Sequence, residues 1–169
     1  MENYFKLIAE RYSVRSFSPQ TVEAEKLAQI LEAGRLAPTS CNNQPQRIKV
    51  IADADGLEKV DECMPYRFNS STVLLICYDK TVCWKSPFNG GYSGEVDASI
   101  VITHMMLATH ALGLGACWVM YFDPAEAAAL FELPENITPV AMLPIGYSSE
   151  KAAPSKRHYS RVPIEKILL

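Results

Sequence analysis

The chain has 169 residues, of which 49% are hydrophobic and 21% charged, with a formal net charge of -3. That composition sits near the globular average and excludes low-complexity disorder, collagen repeats and disulfide-dense scaffolds, while a chain this long buries roughly 70% of its unfolded surface without staples. The slightly acidic balance argues against bulk nucleic-acid binding, which calls for a basic face.

The elements alternate helix and strand, as in a layered α/β or α+β domain. Residues 3–10 read as a short amphipathic helix with Tyr4, Leu7 and Ile8 on one side. Thr21 is placed to cap a second helix carrying Leu27, Ile30 and Leu31, which ends before Pro38. Ile48, Val50 and Ala52 alternate with Arg47, Lys49 and Ile51 and read as a strand, and a third helix covers Leu57 to Cys63. Thr72 to Tyr78 is a continuous apolar run, the pattern of a central strand buried on both faces. An aromatic, glycine-rich loop follows, with Trp84, Phe88, Gly90, Gly91 and Tyr92. Asp97 is placed to cap a long central helix that Gly113 closes. Ala116 to Met120 reads as another buried strand. Asp123, Pro124 and Glu126 give an N-cap, an N1 proline and an N3 acid for a helix reaching about Phe131. Val140 to Tyr147 is the last core strand. The tail at 148–169 holds Lys151, Lys156, Arg157, Arg161 and Lys166 among prolines, and reads as an extended arm rather than a second domain.

Five cysteines, an odd number with no C-x-x-C pair, suggest neither a disulfide framework nor a zinc knuckle, so reduced, buried thiols in a cytoplasmic protein are expected, with no metal. Met1 to Glu10 has no apolar signal segment. Residues 98–122 carry no formal charge, yet His104, His110, Gly113 and Gly115 interrupt them, so a buried helix, turn and strand is read rather than a membrane span. His104 and His110 do not share a helix face and read as core or packing residues, and Cys41 as a packed or loop thiol. No dinucleotide glycine fingerprint, phosphate-binding P-loop or serine nucleophile elbow occurs.

Three segments could carry chemistry. Arg11, Ser13, Arg15 and Phe17 alternate along an extended path, which sets two guanidinium groups and a hydroxyl on one face. Arg binds a phosphate monoester in a fork, although two ordinary surface arginines would look the same. Residues 37–45 pack amide and hydroxyl side chains between Pro38 and Pro45, which suits the edge of a flat heteroaromatic ligand or simply makes a turn. Gly113 and Gly115 let the backbone of 113–121 approach something closely.

Taken together these segments resemble the nitroreductase-like FMN-dependent flavoproteins. The motifs are Arg-x-Ser-x-Arg-x-Phe at 11–17, Ala-Pro-Thr-Ser-x-Asn-x-Gln-Pro at 37–45, Asp-Ala-Ser-Ile at 97–100, Leu-Gly-Leu-Gly-Ala-Cys-Trp at 112–118 and Leu-Pro-Ile-Gly-Tyr at 143–147. Their order holds over almost the whole chain. The resemblance implies an α+β fold over 1–169, with a central, mainly antiparallel sheet flanked by helices. It also implies a homodimer whose C-terminal arm crosses to the partner, and FMN at the dimer interface. On this resemblance Arg11 grips the FMN phosphate with Arg161, helped by Arg157 and His158, Ser13 meets the ribityl chain, and Tyr12 is a further cofactor-binding residue. Arg15 sets a positive charge where negative charge develops on the ring. Pro38, Thr39, Ser40 and Asn42 reach the flavin from the other subunit. The amides of Met120 and Tyr121, after Trp118, approach N5 and O4, and Asn69 is a further contact. NADH or NADPH delivers hydride to flavin N5, and a nitroaromatic, quinone or similar acceptor then takes the electrons in a ping-pong cycle, with no obligatory side-chain acid or base. Other flavin reactions on the same scaffold (dehalogenation, enone reduction, flavin fragmentation) and non-catalytic FMN binding are the alternatives. The chain is short for this family, so the 84–92 loop is expected either to roof the flavin or to pack as a satellite cluster.

Overall fold

The computed structural model describes residues 2–169. Four antiparallel strands form one sheet in the order β1-β2-β4-β3, with β1 at Gln46–Ile51, β2 at Thr72–Asp79, β3 at Gly115–Ala116 and β4 at Ile137–Gly146. The helices are α1 (Glu2–Glu10), α2 (Ala24–Arg35), α3 (Ala54–Cys63), α4 (Gly94–Ala111) and α5 (Pro124–Leu130).

The sheet is the middle of three layers, because β2 is apolar on both faces. Leu74, Ile76 and Tyr78 pack with Ile30 of α2 and Ala98, Val101, Ile102 and Met105 of α4. Val73, Leu75 and Cys77 pack with Val60 and Cys63 of α3 and Ala127 of α5. The α4 helix ends in two bonds, from Gly113 N–H to His110 and from Leu114 N–H to Thr109. Gly113 takes φ 76°, as the residue after a helix C-cap commonly does. Asp123 caps α5 by accepting from the N–H groups of Ala125 and Glu126.

Four local expectations change. Thr21 does not cap α2: its N-cap is Glu23, which makes no capping bond. Asp97 lies inside the first turn of α4, which begins at Gly94. The strand expected at 116–120 is ladder only at Gly115–Ala116; beyond it, contact with β4 continues through Cys117 N–H to Pro144 and a bridge between Val119 and Met142. In β1 the strict alternation fails, since Ile51 is buried against α3 while Val50 is exposed at the sheet edge. With helices on both sides, either face of an edge strand can be apolar. On α1, Leu7 is half-buried while Tyr4, Phe5 and Ile8 stay exposed, so its apolar side is uncovered within this chain. No helix among the described residues is long and apolar enough to cross a membrane.

Candidate functional site

The 11–17 segment runs beside β3 as an extra, parallel piece of sheet. Ser13 bridges to Ala116, and Val14 N–H donates to the Ala116 carbonyl at 3.0 Å. Gly115 allows this approach: a Cβ there would lie 2.5 Å from Val14 Cγ2. Val14 turns into the core, which leaves Arg11, Ser13 and Arg15 facing outward together. Phe17 departs from that face. It is buried, and its N–H donates to the Phe68 carbonyl.

The arm brings two further arginines to the same place. Arg11, Tyr12, Ser13, Arg15, Ser155, Arg157, His158 and Arg161 line one cleft of about 190 Å³. Arg157 and His158 sit on a 3-10 turn, Lys156–Tyr159, and the arm carries a second such turn at Ile164–Lys166. The His158 ring meets the Tyr12 ring edge-on at 6.2 Å. Charge distinguishes this cleft. Of the chain's seven arginines, Arg35, Arg47 and Arg67 each pair with a carboxylate. Among the described residues Arg11, Arg15, Arg157 and Arg161 have no such partner. Four guanidinium groups stand around one small cleft with the Ser13 hydroxyl beside them, and forked donors of this kind suit a phosphate. Beneath it lies Cys117. Its burial pushes the thiol pKa up, and this outweighs the opposing pull of Arg15, the Ser13 hydroxyl and Arg11.

The other expected residues stand on different parts of the surface. Pro38, Thr39, Ser40 and Asn42 lie on the α2–β1 connection, and none of them lines the arginine cleft. Cys41, Asn42 and Gln44 there take positive φ of 53°, 54° and 51°, and the Thr39 hydroxyl accepts from Gln44 N–H at 3.0 Å. Three left-handed residues in four hold the segment in a costly shape. Asp97 fixes it. Oδ1 accepts from Ser40 N–H at 2.8 Å and Oγ at 3.1 Å, and Oδ2 from Ser93 Oγ at 2.7 Å. Sequence reasoning took Asp97 as a helix cap and missed this anchoring role. Asn69, at φ 63°, borders a separate groove with Ser16, Ser18 and Tyr147.

Trp118 packs against the core at the α4 side, and its indole N–H is buried with no partner among the described residues. Met120 and Tyr121 are exposed, and among the described residues their N–H groups donate to no backbone carbonyl. Tyr121 meets Tyr66 at 5.3 Å between ring centroids, and Tyr66 stacks on Phe68 at 5.9 Å. This aromatic row was not read from the sequence; its signal was Tyr66 and Phe68 between Pro65 and Asn69, just before β2. Phe88 is 96% exposed at the tip of the 84–92 loop, so it packs into no satellite cluster.

The sequence pattern of the Nitroreductase family matches residues 8–70 and 84–147, blocks that contain all of these segments except the arm. A protein of Methanothermobacter thermautotrophicus whose name reads NADH dehydrogenase/NAD(P)H nitroreductase is 31% identical over 150 residues, covering 85% of this chain and 76% of its own. A nitroreductase family protein of Clostridium difficile 630 superposes with a TM-score of 0.91 at 38% identity, covering 97% of this chain and 95% of its own. A Desulfovibrio desulfuricans protein described as a nitroreductase in complex with FMN gives 0.80 at 26% identity, covering 98% and 94%. With its sequence pattern matched on both sides of β2 and its fold shared end to end, the chain belongs to the nitroreductase family.

Proposed function

We propose that this protein is an FMN-dependent NAD(P)H oxidoreductase that reduces nitroaromatic, quinone or similarly activated acceptors. The observation that carries the reading is the cleft of four arginines with no carboxylate partner among the described residues. A phosphate monoester is nearly a dianion at neutral pH, and forked, permanently charged donors suit it. The donor set therefore fits FMN at its phosphate end. Names of relatives agree with this: NAD(P)H in one, FMN in another.

When bound, FMN supplies the hydride and electron transfer between nicotinamide and acceptor. The chain's own residues bind and orient it. Arg11, Arg157 and Arg161 hold the phosphate, Tyr12 and Ser13 flank the sugar chain, and Arg15 offers positive charge toward the ring. The amides of Met120 and Tyr121 stand available to hydrogen-bond the ring edge, with Trp118 behind them. Pro38, Thr39, Ser40, Asn42 and Asn69 lie off the cleft, and a second subunit would bring the 38–42 segment to it. The uncovered Tyr4, Phe5 and Ile8 of α1, with Ile164, Ile167 and Leu168 of the arm, offer the apolar surface a homodimer needs. On this reading 1–169 is one FMN-binding unit with 148–169 as its arm. The five free thiols suit the reducing cytoplasm.

The visible spectrum of the purified protein tests the proposal. Flavin bands that bleach on anaerobic addition of NADH or NADPH support it. A protein that takes up no FMN, or whose bound flavin neither nicotinamide reduces, overturns it.

A further inference from the structure

We propose that Phe88 reaches across to a second subunit and covers the flavin held there, so that it selects flat aromatic electron acceptors. The inference rests on the FMN reading and deepens it, by naming a specificity-determining residue that the partner copy supplies.

Three observations carry it. The first is that Phe88 stands on a braced element. Residues 84–93 form a short hairpin. Ser93 N–H donates to the Trp84 carbonyl at 2.9 Å, Ser86 N–H to Gly91 at 2.8 Å and Gly90 N–H to Ser86 at 3.0 Å, with a bridge between Lys85 and Tyr92. The Asn89 side chain accepts from Gly91 N–H at 2.9 Å, and the Lys85 ammonium lies 5.3 Å from the centre of the Tyr92 ring. The Phe88 ring is held out at the tip, and Trp84, Tyr92 and Val96 are exposed as well. A hairpin bonded in this way has no slack to fold its tip back onto the body, so covering that ring takes another chain. The second observation is where the hairpin is fixed. Its last residue, Ser93, is buried and donates its hydroxyl to Asp97 Oδ2 at 2.7 Å, while Oδ1 of the same carboxylate holds Ser40. Gly94, next along, packs against the Tyr78 ring with no room for a Cβ. The hairpin and the 38–42 segment therefore move as one piece with the start of α4. The third observation is which subunit that piece serves. No residue of 38–42 lines the arginine cleft of its own chain, and in the FMN reading the segment meets the flavin of the second subunit. Tied to it through Asp97, the hairpin goes to the same place and carries Phe88 there. A nitroaromatic or quinone ring lying under Phe88 gains an aromatic contact that a small non-aromatic oxidant cannot make.

Phe88→Ala in the full-length, FMN-loaded protein tests the cover, and mixed dimers locate it. In the Phe88→Ala homodimer, iodide quenches the fluorescence of bound FMN more strongly than in the parent. The KM for menadione rises about 2- to 10-fold while kcat holds, the worth of one aromatic contact, and the KM for ferricyanide does not move. Phe88→Tyr keeps the parent values. Mixed dimers are assembled from two differently tagged chains and given FMN at a concentration that fills only sites with Arg11 intact. When an Arg11→Ala chain is paired with a Phe88→Ala chain, the loaded site on the second chain lies under the first chain's Phe88, and both readouts are the parent's. When a chain carrying both substitutions is paired with a parent chain, the loaded site lies under alanine, and both readouts are those of the Phe88→Ala homodimer. The opposite assignment puts Phe88 over its own subunit's site and overturns the proposal. A Phe88→Ala homodimer that binds FMN with the parent's quenching and the parent's KM values also overturns it, and leaves the FMN reading standing. A parent protein that takes up no FMN overturns both.

Discussion

Asp97, 1% exposed, accepts both the backbone N–H and the hydroxyl of Ser40 on one carboxylate oxygen, 57 residues away in the chain. Its other oxygen takes the Ser93 hydroxyl. A carboxylate inside the first turn of α4 also complements the helix dipole. One side chain thus ties the 39–42 segment and the end of the aromatic loop to the same helix start. Asp97→Ala leaves three donors without their acceptor, and the expected loss is about 2–3 kcal/mol of stability. Asp97→Asn keeps an acceptor at the Ser40 position and should lose less. Urea midpoints with an unchanged slope check the order. Equal midpoints for the alanine variant and the parent would refute the anchoring role.

Arg11 is half-buried in the cleft and carries no carboxylate partner among the described residues. Its removal should therefore cost ligand affinity without costing stability. Arg11→Ala is expected to weaken FMN binding about 10- to 100-fold, the worth of a charge-assisted bond, while the melting temperature of the cofactor-free protein holds or rises. Arg11→Lys keeps the charge but not the fork and should recover only part of the affinity. Fluorescence titration of FMN against each variant gives the ratios. Unchanged affinity in Arg11→Ala would move the phosphate elsewhere.

How much of this was legible in the sequence follows from the range of the forces involved. The continuous apolar run of β2, the Asp123-Pro124 start of α5 and the Gly113 stop of α4 are local signals, and each element lies where they put it. The alternation of Arg11, Ser13 and Arg15 was legible because Val14 between them is a core residue. Asp97 was misread because an acid near a helix start looks like a cap, and only the fold brings Ser40 to it. Thr21 was misread because chain geometry begins α2 at Ala24 without a capping side chain. Phe17 was placed on the arginine face by period-2 logic, but the segment leaves the sheet edge there and bonds to Phe68. The Tyr66–Tyr121 contact joins two loops, which no local pattern announces.

Asp79 sets an acid limit on stability. The Thr81 hydroxyl, the Asn136 amide and the Thr81 N–H all donate to it, and Arg47 adds its charge, holding the carboxyl down at about 2 from its usual 3.8. A folded-state value below the unfolded one means that the contribution is fully present above about pH 4 and is lost as the pH falls toward 2. The parent protein should therefore lose stability faster than Asp79→Asn over that interval, and the two curves should run parallel above it. Urea unfolding at half-unit pH steps measures both. Curves that stay parallel below pH 4 would show that the acid limit lies in other carboxylates.

Two neighbouring glycines separate strain from displacement. Gly113 has φ 76° and nothing within 4 Å of where a Cβ would stand, so Gly113→Ala meets backbone strain alone. Its expected cost is about 1 kcal/mol, with FMN affinity unchanged. At Gly115 the backbone is ordinary, but a Cβ would lie 2.5 Å from Val14 Cγ2 and 2.8 Å from its Cβ. Neither branch of that valine can swing clear, because Val14 is buried and its own N–H is bonded to Ala116. Relief has to come from the 13–15 backbone moving off the sheet, and the side chains of Ser13 and Arg15 move with it. Gly115→Ala is expected to cost about 1–3 kcal/mol through overpacking and to weaken FMN binding as well. Both variants read out by the same two assays, urea unfolding and FMN fluorescence. If Gly113→Ala loses as much affinity as Gly115→Ala, the arginine segment is not positioned by its contact with β3.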